Sequence, residues 1–315
     1  MARIDPTFGR PELAAVRDAA QRGDLRALGP ALTTGLTGPH DRIDRMRVAA
    51  DTLTARTGPN VPAGLDEWLR ADPHNPAVLA LRGQVEVLRA WAIRGDDLAR
   101  LTEQARLVEF RRTLERAEYF ARTAAEADPR DPAPWASLTL MARGQQVDTA
   151  ELLRRRDGLE ARAPQHFDSQ AHAVIDLGPM WGGSNDLALE HLRRWVAAAP
   201  EGSCLPALFF VAQFQRYLRD EDRSFTRDEA VRDEGHRMAD RLPRGHLSTP
   251  DAFIAHNYAA AWFVLAREPG RANTHFKLLR GYASEYPWYW LPSTGLTPLA
   301  TFRGKRQNAW LRLPL

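Results

Sequence analysis

The chain has almost no cysteine, almost no lysine and no apolar run long enough to cross a membrane. Cys204 is the only cysteine in 315 residues, so an internal disulfide cannot form and a thiolate metal cluster is excluded. Its neighbours, Gly202-Ser203-Cys204-Leu205-Pro206, supply no cation to hold a thiolate, so the residue reads as a small half-buried apolar group. The best apolar stretch, Cys204 to Phe214, is interrupted by Pro206 and Gln213 and falls short of the roughly 18 residues a spanning helix needs. The opening Met1-Ala2-Arg3-Ile4-Asp5-Pro6 lacks the apolar core of a secretory signal, and a cytoplasmic location is the expectation. Lysine occurs only at Lys277 and Lys305, and arginine supplies the rest of the 43 basic residues. That skew reads as the codon usage of a GC-rich genome. The net charge is only +3, and Arg and Asp/Glu mix on the same segments, as from Arg216 to Arg223. A nucleic-acid stripe concentrates one sign on one side, so nucleic acid is a minor alternative. No HExxH zinc motif, phosphate-binding glycine loop or Gly-x-Ser-x-Gly elbow occurs, and no cofactor or metal is expected.

What the chain does have is punctuation. Pro39, Pro73, Pro129, Pro164 and Pro200 fall at predicted helix joints. Pro39 to Pro73 spans 34 residues, Pro129 to Pro164 spans 35, and Pro164 to Pro200 spans 36. Helical spacing of apolar residues predicts helices from Pro11, Leu25 to Leu32, from Pro39, and Leu65 to Ala71. The phrase Ala71-Asp72-Pro73-His74-Asn75-Pro76 returns as Ala127-Asp128-Pro129-Arg130-Asp131-Pro132. Aspartate there suits a cap for the coming helix, and proline suits its first turn. Turns are predicted at Gly23-Asp24, Gly95-Asp96, Gly144-Gln145 and Gly183-Ser184. Leu98 to Ala127 reads as one long overhanging helix, open to a homodimer, or as two helices with a tight bend. Beyond Pro200, helices are predicted over Leu205 to Leu218, Arg227 to Leu242, Asp251 to Arg267 and Arg271 to Tyr286. Strand-type alternation is absent, so the class is all-α.

The period of about 34 residues resembles that of tetratricopeptide repeats. Pro129 followed by Trp135, Leu138 and Gly144 is similar to that family's pattern, as is Ala188 twelve residues before Pro200. The resemblance implies a right-handed α-solenoid of about six or seven stacked helical hairpins, irregular at both ends. Residues 1–286 would form it, regular over about 39–200 and looser over 201–286. Residues 287–315, rich in aromatic and basic groups, would cap it. Pro179-Met180-Trp181-Gly182-Gly183-Ser184 also resembles a turn found in a bacterial domain family of unknown function, a likeness of six residues that implies no activity.

Helix-pair solenoids bind peptides or partner helices on their concave wall, so a non-enzymatic scaffold is the leading expectation. The residues expected on that wall are Asp168, Ala171 and Ile175, with Gln213, Arg216 and Tyr217 added by spacing. Trp181 is a candidate stacking platform, with the Gly182 and Gly183 amides as an anion nest, or else the segment is only a hairpin turn. His256 and Asn257 are groove-lining candidates or buried hydrogen-bonded core. The alternative function is an enzyme or small-molecule binder. It would use His172 and Asp176, one helical turn apart, with His256, and His166 or His191 as further metal ligands.

Overall fold

The computed structural model describes residues 2–95, 102–291 and 297–311. These residues form fifteen α-helices and one short parallel strand pair. No described helix is long and apolar enough to cross a membrane. The chain folds as two compact units, Gly9–Pro164 and the residues on either side of it.

The Gly9–Pro164 unit contains α1 (Pro11–Arg22), α2 (Leu25–Thr33), α3 (Pro39–Thr57), α4 (Leu65–Ala71), α5 (Pro76–Arg94), α6 (Gln104–Ala127), α7 (Ala133–Gln145) and α8 (Thr149–Glu160). Proline occupies the first turn of α1, α3, α5 and α7, where its missing N–H has no helical partner anyway. The repeated Ala-Asp-Pro phrase works differently from expectation. Asp72 and Asp128 end α4 and α6. The caps come from the polar residue three positions on. Asn75 Oδ1 accepts the Ala77 and Val78 N–H groups, and Asp131 Oδ1 accepts that of Ala133.

One apolar cluster runs through α1 to α5, with Leu13, Val16, Leu28, Met46, Leu53, Leu65, Val78 and Leu81 buried. A second continues through α5, α6 and α7, with Val87, Phe110, Leu114, Leu138 and Met141. Where α5 meets α6, a Cβ on Gly83 would lie 3.1 Å from the Ala121 amide nitrogen and 3.3 Å from the Ala117 carbonyl oxygen. Backbone cannot step aside as a flexible side chain can. Gly83→Val is therefore expected to cost about 2–3 kcal/mol in urea unfolding, whereas Gly58→Ala, in open space at positive φ, should cost less.

Two expected features differ here. The long helix starts at Gln104 and packs its apolar side on α5 and α7, leaving Tyr119 and Val108 facing outward. Leu98 and Leu101 of that helix, and Asp96 of the expected turn before it, lie outside the described residues. Gly144 is inside α7, and the left-handed residue is Gln146, φ 55°. Glycine is needed at 144 because Leu114 and Phe110 press on it.

The second unit contains β1 (Arg3–Ile4), α9 (Phe167–Leu177), α10 (Asn185–Ala198), α11 (Leu208–Arg219), α12 (Glu229–Asp240), α13 (Pro250–Leu265), α14 (Pro269–Leu279), β2 (Tyr282–Ala283) and α15 (Pro298–Leu311). Its centre is α13, buried on every side from Pro250 to Phe263. Alanines at 255, 259, 260 and 261 let neighbours approach closely, and Phe209, Phe210 and Phe214 of α11 fill the space against Trp262, Phe263 and Tyr258. The helix expected to run to Tyr286 stops at Leu279. Arg280 and Gly281 turn left-handed there, and the chain enters β2 against β1. In the tail, Trp288 is fully buried, stacked on Phe276 and edge-on to Phe302. The tail's Pro292 and Gly295 lie outside the described residues.

Candidate functional site

The C-terminal turn of α11 carries Tyr217 to the edge of a cleft of about 580 Å³ in the second unit. Its other walls are the loop after α11, the end of α13 with the turn into α14, and one side of α15. The loop is held by Phe225, which is buried and stacked on Trp262 at 6.3 Å. Asp222 tightens it by accepting the Ser224 N–H at 2.8 Å and the Ser224 hydroxyl at 2.9 Å, and those bonds hold its carboxyl below the usual range. The turn from α13 to α14 closes through Arg267 in the left-handed region, φ 60°, with Glu268 N–H donating back to the Phe263 carbonyl.

The charges lining the cleft do not cancel. Arg223, Arg227, Arg267 and Lys305 stand against Asp222 and Glu268. Glu268 is already engaged, accepting from Arg232 Nε at 2.8 Å and lying 2.6 Å from His236 Nε2. Arg223 sits over the Tyr217 ring, 4.3 Å from its centroid, and donates to the Tyr217 hydroxyl at 3.0 Å. Among the described residues, Arg227, Arg267 and Lys305 form no ion pair. The floor is apolar, from Phe263, Val264, Leu265 and Ala309.

Of the residues anticipated from spacing, Tyr217 alone lines this cleft. Arg216 is turned away from it, 4.1 Å over the Phe225 ring and 3.0 Å from the Asp220 carboxylate. Burial takes Gln213, His256 and Asn257 off the surface. Asn257 is a structural clasp. Its Nδ2 donates to the Phe253 and Tyr282 carbonyls, and its Oδ1 accepts the Trp288 indole N–H at 2.7 Å. His256 Nε2 donates to the Pro243 carbonyl at 2.9 Å, so its Nδ1 carries the lone pair that receives a proton from His275 Nδ1 at 2.8 Å.

The other anticipated groups belong to local architecture. His166 caps α9, its Nδ1 accepting the Ser169 N–H, while Asp251 accepts the Phe167 and Asp168 N–H groups. Asp168 and Ile175 are half-buried and Ala171 is buried. His172 and Asp176 lie one turn apart on α9, both half-buried, and His191 lies on α10, 6.0 Å from Trp195. Among the described residues no three His, Cys, Asp or Glu side chains are placed to hold a metal ion. Trp181 is exposed in a short turn, but the Gly183 amide of the expected anion nest donates to Gly178, and Ser184 Oγ caps α10. The Cys204 thiol is pushed up by burial and by the Asp251 carboxylate, which leaves it neutral and unreactive.

Arg227, Arg267 and Lys305 escaped the sequence reading because they come from three elements far apart in the chain. Only Arg267 left a local signal: a residue other than glycine immediately past a helix end. Comparison of the chain with family models, with curated proteins and with solved structures found no match.

Proposed function

We propose that this is a non-enzymatic binding protein of tetratricopeptide-like build, a right-handed α-solenoid in which helical hairpins cover one another's apolar sides. Two observations support the architecture. Successive helices of the Gly9–Pro164 unit pack through apolar clusters that share α5, and three of the four separations between joint prolines match the repeat's length, the 56 residues from Pro73 to Pro129 being the exception. The binding site is the cleft beside Tyr217, and its occupant is a peptide segment of a protein partner. The cleft lies at helix ends rather than along the helix faces first expected to form the wall.

The observation that carries this reading is the combination of an open cleft, apolar groups in its lining, and an aromatic ring with an excess of cations around it. Ligand clefts commonly fall in the range of ~300–1,000 Å³ with few, convergent polar groups, and Tyr and Arg are the side chains that dominate binding energy at protein surfaces. The enzymatic alternative loses one of its three groups, because both nitrogens of His256 are spent on Pro243 and His275.

The test is selection of displayed 12-residue peptides on the immobilised protein, followed by anisotropy titration of the synthetic winners. Tyr217→Ala is expected to weaken binding at least tenfold, about 1.4 kcal/mol. Winners that bind Tyr217→Ala as tightly as the parent protein would place the site elsewhere.

A further inference from the structure

We infer that the cleft selects acidic peptide segments, with carboxylate side chains seated on Arg227, Arg267 and Lys305 and apolar ones on the floor between them. This rests on the peptide-binding reading and adds the chemical class of the ligand.

The argument begins with which charges are already satisfied. Many arginines are tied to carboxylates, as in Arg42–Asp131, Arg155–Glu118 and Arg193–Glu234, while exposed ones such as Arg237 and Arg280 form no ion pair among the described residues. The cleft wall gathers cations of the second kind. The two carboxylates are hydrogen-bonded to Ser224, Arg232 and His236, while among the described residues Arg267 and Lys305 form no ion pair and Arg227 acts on Asp222 only at longer range. Those cations arrive from the loop after α11, the α13–α14 turn and α15, so the positive field is assembled by folding and not by a run of like charges in the sequence. A cleft with low-dielectric walls concentrates such a field. Arg267 adds a second point. A side chain other than glycine in the left-handed region costs on the order of 1 kcal/mol, and at this one of five such positions the side chain belongs to the cleft lining.

The remaining carboxylates decide between ligand classes. Asp222 and Glu268 stand among the cations and would repel a continuous polyanion such as a nucleic-acid backbone. A peptide with acidic residues separated by apolar ones can meet the cations and avoid both. The half-buried Val264 and Leu265 of the lining also have apolar surface to bury against such a chain, but nothing to offer a phosphodiester.

The experiment uses the full chain and three fluorescein-labelled probes: a nonamer alternating glutamate with leucine, the same nonamer with glutamine for glutamate, and a single-stranded RNA dodecamer. The acidic nonamer is expected to bind at least tenfold tighter than the glutamine nonamer at 150 mM salt. Arg227→Glu and Arg267→Glu should each weaken the acidic nonamer at least tenfold, with circular dichroism melting unchanged. Arg237→Glu, an exposed charge on α12 outside the cleft, should leave the affinity within twofold. Equal binding of the two nonamers, with both lost in Tyr217→Ala, would overturn the acidic class and leave the peptide cleft standing. Equal weakening by Arg237→Glu would overturn the inference by showing attraction to net charge alone. RNA binding tighter than the acidic nonamer and lost in Arg267→Glu would overturn both this inference and the peptide reading.

Discussion

Arg42→Met is expected to lower the unfolding free energy by about 3–5 kcal/mol, the cost of leaving one member of a buried ion pair without its partner. The Arg42 side chain is 8% exposed and that of Asp131 5%. Arg42 Nε and Nη2 both donate to the Asp131 carboxylate, and Nη1 donates to the Leu32 carbonyl at the end of α2. Asp131 meanwhile accepts the Ala133 N–H and so starts α7. One guanidinium therefore joins the end of α2, its own helix α3 and the head of α7. Methionine fills much of the volume but offers nothing to the carboxylate, whose remaining partner is a single amide. Asp131→Ala should cost a similar amount, because it strands the guanidinium and uncaps α7 together. The double variant should be less destabilised than the two singles combined, by at least about 2 kcal/mol, since neither charge is then left alone. Guanidinium unfolding of the four proteins measures this. Single-variant losses below 1 kcal/mol, or strict additivity, would show that water reaches the pair and screens it.

The helices were legible because their ends are written locally. Proline in the first turn, Asp24 as a cap, and glycine at 23 and 95 each act within a few residues of themselves. Contacts between distant segments left no such signal. The β1–β2 pair joins Arg3 to Tyr282 with two residues on each side, too short for any alternation to register. Gly144 looked like a turn residue, yet its role is to accept Leu114 and Phe110 from another helix, a fact no neighbouring residue reveals. The site divides in the same way. Tyr217 was reachable by counting along α11, whereas its partners across the cleft are 50 and 88 residues further on, at Arg267 and Lys305. His256 and Asn257 were readable as polar groups in an apolar helix. Whether they faced a groove or a core depended on Trp288, His275 and Pro243, which only the fold brings to them.

Acidification from pH 7 to pH 5 is expected to cost about 2 kcal/mol of stability for each of the two rings at the heart of the second unit. Burial pushes His256 down to about 4, against the hydrogen bond to Pro243, which favours the charged form. Burial pushes His275 down to about 3, with the charges of His256, Arg271 and Arg244 acting in the same direction. Both rings are therefore neutral in the fold, while in the unfolded chain each titrates near 6.5. Between about pH 6.5 and pH 4 the unfolded chain binds more protons, so stability falls as pH falls through that window and is flat above it. The geometry allows no easy escape. On His256 the only position left for a proton is Nδ1, which already accepts from His275 Nδ1. Protonating it would set two N–H groups 2.8 Å apart in a site stacked against Phe263. Urea titrations at pH 7 and pH 5, compared with the His256→Gln/His275→Gln protein, measure the effect. The double variant should lose about 4 kcal/mol less than the parent over that interval. If both proteins lose the same amount, the acid sensitivity belongs to other groups and the pair is not what fixes the lower pH limit of this fold.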